Sequence, residues 1–224
     1  MTTTTGRGNR TRAQRNRAQG NRAQGNRAQR NRLSPDERRS QLLDLGVRLL
    51  ATRSLDELSI DLLAEEAGIS RGLLYHYFGN KHAFHEAVVR RAADDLIAQT
   101  APPVTGDPIE RLLASVTAYV DYVIANYEGY LSLVKGAAGG NEAIRQIYDD
   151  ARSALTDRIF REDAQGQIID DTPAARLLMR GWGAMTEDLV LSWKVDPAGV
   201  TREELLAMMA LSLPALVSIL PQTS

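Results

Sequence analysis

The stretch "GISRGLLYHYFGNKHAF" (68–84), which holds three glycines, sets Arg71, Tyr75, His76, Tyr77 and Lys81 within eleven positions. Three chemistries suit such a set: proton transfer at a catalytic site, metal ligation, and the gripping of a charged surface. The rest of the chain supplies little for the first two. There is no cysteine, hence no disulfide, thiolate nucleophile or Cys-based zinc site, which fits a reducing compartment. No histidine lies beyond position 85. A phosphate-binding glycine loop and a spaced carboxylate pair with helical ligands are also missing. His82, His85 and Glu86 crowd together but match no familiar ligand spacing, and His76 falls on a different expected helix. Neither a metal nor a cofactor is expected. What remains is a surface.

Arranged on a short helix capped by Ser70, that surface suits a DNA major groove. Leu74 and Phe78, four apart, anchor the helix inward, with Ile69 beside them. Arg71, Gly72, Tyr75 and His76 then face outward. Arg71 can donate two hydrogen bonds to guanine O6 and N7, Gly72 lets the backbone approach closely, and Leu73 can touch a thymine methyl. Ser70, Tyr75, Tyr77 and Lys81 have the reach and donors for phosphates, and the helix N-terminus attracts one too. Tyr77 reads equally well as an ordinary half-buried aromatic.

The elements that position this helix follow from caps and periodicity. "SPDERR" opens a first helix over about 36–52: Ser34 caps, Pro35 fits the first position, and Asp36 and Glu37 suit the positive end of the dipole. Its apolar face is Leu42, Leu45, Leu49 and Leu50, widened by Leu43 and Val47. Ser59 caps a second helix that turns Ile60, Leu63 and Ala64 inward and stops at Gly68. Two short helices around the tight "AGIS" bend form a helix-turn-helix. Asn80 caps a linking helix over about 80–99. "TAPPVTGDP" (100–108) breaks the pattern, and helices are expected beyond it at about 107–126, 127–136, 141–163, 173–194 and 201–219. No segment alternates as a strand does, so the fold class is all-α. Pro214 should kink or shorten the last helix.

Charge divides the chain sharply. Its 224 residues carry a net charge of −1, yet residues 1–32 hold nine arginines and no acid, which leaves residues 33–224 at −10. The repeat "NRAQGNRAQGNRAQRN" (16–31) has no apolar side chain beyond alanine, so it cannot build a core and is expected to be disordered when free. It is either an inert tail or a basic arm whose arginines, notably Arg22, Arg27, Arg30 and Arg32, lie along DNA phosphates or reach a minor groove. The expected organisation is an arm over 1–33, a DNA-binding domain over 34–82, and a helical ligand-binding and dimerisation domain over 83–224. No apolar run approaches the roughly 20 residues that span a bilayer, and no signal-peptide h-region begins the chain. A cytoplasmic location without membrane contact is the expectation.

Residues 58–89, "LSIDLLAEEAGISRGLLYHYFGNKHAFHEAVV", resemble the DNA-binding signature of the TetR family of transcriptional regulators. The matching positions include Ser59, Ile60, Ala64, Ala67, Gly68, Ile69, Ser70, Gly72, Tyr75, Tyr77, Phe78, Lys81 and Phe84, with "YHYFGNK" standing for the family's YxYF followed by lysine. The resemblance implies that Arg71, Gly72, Leu73 and His76 read bases. It implies that Ser59, Ser70, Tyr75, Tyr77 and Lys81 hold the backbone. It further implies a non-enzymatic regulator, most often a repressor, with a variable helical domain that binds a small molecule and pairs two subunits. Serine replaces the usual threonine at position 59, and the long arm is a departure. Glu57, Asp61, Glu65 and Glu66 are tolerable beside a duplex only if they face away from it.

The second half gives its own reasons to expect a dimer and a pocket. The last helix carries apolar residues around most of its circumference, so it must be buried on more than one side. Either it is central in the monomer or its outer face pairs with a second subunit, with Gly181, Gly183 and Ala184 allowing close approach. Four tyrosines fall within positions 119–130, and both tryptophans lie beyond 180. Such amphipathic rings suit a cavity for a mostly apolar effector, or are simply core aromatics. Tyr119, Tyr122, Tyr127, Met179, Trp182 and Met185 are the first candidates to line it. Arg145, Arg152, Arg176 and Glu187 are candidate polar contacts. An architectural DNA binder without a ligand, and less readily a helical enzyme, are the alternatives.

Overall fold

Eight of the nine helices begin at a side-chain cap that satisfies an orphan backbone donor. The computed structural model describes residues 33–163 and 169–220, and those residues form nine α-helices and no strand. At the start of α1 (Pro35–Leu50) the cap is reciprocal. The Glu37 N–H donates to Ser34 Oγ at 3.2 Å, and the Ser34 N–H donates to the Glu37 carboxylate at 2.7 Å. α2 (Ile60–Ala67) starts at Ser59, α3 (Arg71–Phe78) at Ser70 and α4 (Lys81–Gln99) at Asn80. α5 (Pro108–Ala125) carries a full capping box between Asp107 and Glu110. α6 (Tyr127–Ala138) follows after Asn126 alone and has no side-chain cap. α7 (Glu142–Glu162), α8 (Pro173–Val195) and α9 (Arg202–Val217) are capped by Asn141, Thr172 and Thr201.

The boundaries lie within two residues or so of those expected, with two differences that have physical causes. The first helix stops at Leu50, not 52, because the chain turns over 51–57 to bury Leu58 completely. The last stops at Val217, three residues after Pro214, rather than 219.

The chain divides between Gln41 and Leu42. The described part of the first unit is the capped opening of α1; all that follows concerns the second. Two apolar cores hold that second unit together. One gathers Leu42, Leu49, Leu63, Leu74, Phe84 and Val88 with Leu133, Ile144 and Ile147. The other gathers Val116, Val120, Met179, Trp182, Leu205, Met209 and Leu213 with Leu96, Tyr130 and Phe160. Helices α4, α6 and α7 therefore serve both cores. Gly129 in α6 sits where a Cβ would stand 2.7 Å from the carbonyl oxygen of Leu50. Only glycine lets α6 lie this close to the end of α1.

Candidate nucleic-acid interface and internal cavity

α2 and α3 are eight residues each, shorter than a helix that holds in isolation, so their ends are tied explicitly. The Leu62 N–H donates to Ser59 Oγ at 3.0 Å and the Leu73 N–H to Ser70 Oγ at 3.3 Å. Gly68 takes the left-handed conformation, φ 64°, at the end of α2. The N–H of Ile69 reaches the Ala64 carbonyl and that of Gly68 reaches Glu65, a Schellman closure. Leu74 and Phe78 are buried, while Arg71, Gly72, Leu73, Tyr75 and His76 are exposed. Ser70 and Lys81 are exposed, and Ser59 is half-buried. Tyr77 is half-buried against the first core, with its ring edge-on to His76 at 5.6 Å. It therefore fits its structural reading and still shows part of its surface.

Arg71 is not free. Its Nε lies 2.5 Å from Asp61 Oδ1, with the two side chains 68% and 59% exposed. So exposed a pair contributes little to stability, but it gives the guanidinium a resting place. Asp61, Glu65 and Glu66 are all exposed on α2. Glu57 is occupied elsewhere: its carboxylate accepts both the N–H and the hydroxyl of Ser54 at 2.8 Å, which lowers its pKa. His85 is half-buried, with Nε2 2.6 Å from the Leu58 carbonyl oxygen. Burial pushes its pKa down. It therefore fastens α4 to the loop before α2. Among the described residues no three metal-binding side chains are placed to share an ion, and no helix is long and apolar enough to cross a membrane. Arg22, Arg27, Arg30 and Arg32 lie outside the described residues.

In the other core α5, α7 and α8 border a cavity that is partly open to solvent. One end is marked by the ion pair of Arg111 with Glu162. At the other, Tyr119 meets Tyr130 and Glu187. Eight residues of α5 separate Arg111 from Tyr119, so the ends stand about 12 Å apart. Leu112, Val116, Leu155, Ile159 and Met179 line the stretch between.

The far end is a buried polar network. Tyr130 donates to Glu187 Oε2 at 2.7 Å and Tyr148 donates to Oε1 at 2.6 Å. Arg152 donates to the Tyr148 hydroxyl at 2.8 Å, and the Tyr119 and Tyr130 hydroxyls are 2.8 Å apart. Glu187 is only 9% exposed, so these partners decide whether its burial is tolerable. Burial also raises the pKa of Tyr119 and Tyr130, and pushes that of Tyr148 up to about 12. At the Arg111 end, Arg158 donates to the Ile97 carbonyl at 2.6 Å and to Thr100 Oγ1 at 2.7 Å. Desolvation lowers its pKa.

Of the six cavity candidates, Tyr119, Met179 and Trp182 line this space, and Tyr122, Tyr127 and Met185 do not. Tyr122 turns the other way, donating to the Ala92 carbonyl at 2.8 Å. Arg152 and Glu187 border the cavity. Arg145 pairs with Glu142, and Arg176 with Asp157 and Asp171, on the surface. Sequence reasoning missed Arg111 and Arg158 as cavity residues, and placed Tyr130 among the amphipathic rings but not among the first candidates. Tyr130 stands on α6, across the break at Asn126 from Tyr119 on α5, so helical spacing does not pair them.

Several apolar side chains of the last two helices find no cover in one chain. Leu177 is 71% exposed, Leu211 72% and Met208 44%. A Cβ added at Gly181 or Gly183 would meet no atom within 4 Å.

Comparison with known proteins agrees with this geometry. Residues 42–88 match the family described as "Bacterial regulatory proteins, tetR family", and residues 108–214 match "Tetracyclin repressor-like, C-terminal domain". The HTH-type transcriptional activator FasR of Mycolicibacterium smegmatis is 29% identical over 72% of this chain and 74% of its own. The HTH-type transcriptional regulator BetI of Vibrio parahaemolyticus is 30% identical over 76% of this chain and 87% of its own. A crystal structure of a tetR-family transcriptional regulator from Streptomyces coelicolor superposes with a TM-score of 0.73 at 33% identity, covering 84% of this chain and 83% of that one. The helix-turn-helix, the all-helical second half and these relatives agree on a DNA-binding regulator rather than an enzyme. The chain belongs to the TetR family of bacterial transcriptional regulators.

Proposed function

We propose that this regulator is a repressor that binds a palindromic operator as a homodimer and is released by a small, mostly apolar effector. The observation that carries the reading is α3, which buries Leu74 and Phe78 and leaves Arg71, Gly72, Leu73 and His76 together on its outer side. In this reading those four contact base edges. Ser59, Ser70, Tyr75, Tyr77 and Lys81 hold phosphates, and the arm adds attraction for any duplex. Residues 34–82 form the reading domain, and 83–224 the domain for effector and partner.

The uncovered Leu177, Met208 and Leu211, with the open surface at Gly181, support pairing through α8 and α9. Two copies related by a twofold axis present two reading helices, as a palindrome requires. The cavity between α5, α7 and α8 supports the effector. The M. smegmatis relative is named an activator, which favours a second reading: the same dimer bound upstream of a promoter activates instead of blocking it.

Selection of bound duplexes from random DNA tests the core of the proposal. A recovered palindrome with half-sites about one helical turn apart is the expected result. Recovery of unrelated sequences, with steep salt dependence, would mean an architectural binder instead.

A further inference from the structure

The protons of the cavity can be assigned. A carboxylate only accepts, and a phenol has one proton to give. Tyr130 donates its proton to Glu187, so the short approach between the two hydroxyls requires Tyr119 to donate to Tyr130. Tyr148 gives its proton to the other Glu187 oxygen and accepts from Arg152. Burial raises the pKa of all three phenols, so they keep their protons at neutral pH. The chain of donation runs Tyr119 to Tyr130 to Glu187 from one side, and Arg152 to Tyr148 to Glu187 from the other.

On the phenols and the carboxylate the remaining hydrogen-bonding capacity is acceptors. The Tyr119 oxygen receives no bond from any described residue, and each Glu187 oxygen receives one. Other hydroxyls on the wall are occupied the same way. Ser115 donates to the Thr100 carbonyl, Thr156 to that of Arg152 and Thr186 to that of Gly183. The Trp182 indole N–H donates to Ser212. At this end the hydroxyl and carboxylate oxygens have accepting capacity left, and the Arg152 guanidinium beside them donates to Tyr148 and to the Arg180 carbonyl.

We infer that the effector carries a primary ammonium group at Glu187 and Tyr119, on an elongated apolar body that extends toward Arg111. This rests on the proposed reading of the cavity as the effector site. An ammonium brings three donors to acceptors that converge, and a positive charge to a buried carboxylate whose direct partners are neutral phenols. Arg152 touches the network at Tyr148 rather than at Glu187. The rings of Tyr119 and Tyr130 at the same end suit a cation. A body of about 12 Å fits the lining between the two polar ends. The exceptions on the wall are the guanidinium groups. Spare N–H groups of Arg158 and Arg111 suit an anion at the opposite end, and that is the competing outcome.

The test compares four octyl compounds on the full-length protein below their self-association concentrations: octylamine, octyltrimethylammonium, octanol and octanoate. Binding is read by titration calorimetry, and operator release by DNA-binding competition. Octylamine should bind tightest and release the operator, by about tenfold or more over octanol, which brings one donor and no charge. It should also exceed octyltrimethylammonium, which keeps the charge but has no N–H. Tyr119→Phe, which leaves the Tyr130–Glu187 bond in place, should narrow the preference for octylamine, as should Glu187→Gln. Octanol or octyltrimethylammonium binding as tightly as octylamine overturns the inference. Octanoate binding tightest, with its affinity abolished in Arg158→Met, also overturns it while leaving the cavity as the effector site. If none of the four binds while the operator is still held, the effector reading falls together with the inference.

Discussion

The reading surface and the cavity solve opposite problems with the same kinds of residue. Arg71 lies in the open with one exposed partner, whereas Arg152 is bound into a network around a buried carboxylate. Tyr75 is exposed and makes no hydrogen bond through its hydroxyl among the described residues, while Tyr119, Tyr130 and Tyr148 are all engaged. A surface that must exchange water and counterions for phosphate gains from side chains held loosely. In the proposed reading, a cavity that selects one small molecule gains from hydrogen bonds fixed before the molecule arrives.

The largest effect that would sharpen this contrast lies beneath the reading surface rather than on it. Leu74→Ala removes the fully buried anchor of α3 and should cost about 2–5 kcal/mol of stability by denaturant unfolding. Specific DNA binding should fall with it. If the surface kept its affinity, α3 would not depend on this anchor. One step smaller, Arg71→Ala and Tyr130→Phe form a matched pair. Arg71→Ala should leave the melting temperature nearly unchanged, yet cost about 1–3 kcal/mol at the preferred operator and relax one base pair per half-site. Tyr130→Phe should do the reverse, costing about 1–3 kcal/mol of stability by taking a donor from buried Glu187 while leaving the operator sequence unaltered. Equal losses of Arg71→Ala on operator and scrambled duplex would remove its base-reading role.

Deleting residues 1–32 should weaken binding to every duplex without changing the preferred sequence. For each phosphate that the arm no longer neutralises, the slope of log affinity against log salt should flatten by roughly 0.9. An unchanged slope would make the arm a passive tail. The smallest effect belongs to Asp61→Asn, which should shift stability by less than about 1 kcal/mol. It should also raise affinity for operator and random DNA alike, since it removes an exposed acid and releases Arg71. A weakened operator preference in this variant would instead give Asp61 the task of aiming Arg71.

The contrast also explains what the sequence made legible. Residues 58–89 hold the whole reading unit in one run. Caps at Ser59, Ser70 and Asn80, the turn at Gly68 and the inward pair Leu74 and Phe78 are local signals, and all are found where the spacing puts them. The helices of the second half were legible for the same reason. The cavity was not, because its polar end draws Tyr119, Tyr130, Tyr148 and Glu187 from four different helices. Nothing in a solvated-looking row of charges distinguishes Arg158, which turns toward Thr100, from Arg145, which pairs along its own helix. Tyr122 misled because its face of α5 looks toward α4, where the Ala92 carbonyl takes its proton. Asp61 carried no signal of its partner either: a duplex-facing acid is a liability in the sequence and a counter-charge in the structure.

The brevity of α2 and α3 reaches beyond binding. Two turns of helix cannot offset their own nucleation in water, where roughly 12–15 residues are needed even for good formers. A synthetic peptide covering 58–80 should therefore be mostly coil. The proposed operator preference is therefore not a portable word that can be cut out and pasted onto another scaffold through α3 alone. Transplanting it means carrying the supporting floor as well, Leu42, Leu49, Leu63, Phe84 and Val88 included. Conversely, rewriting the four outward residues while keeping that floor should give new operator preferences on an unaltered body.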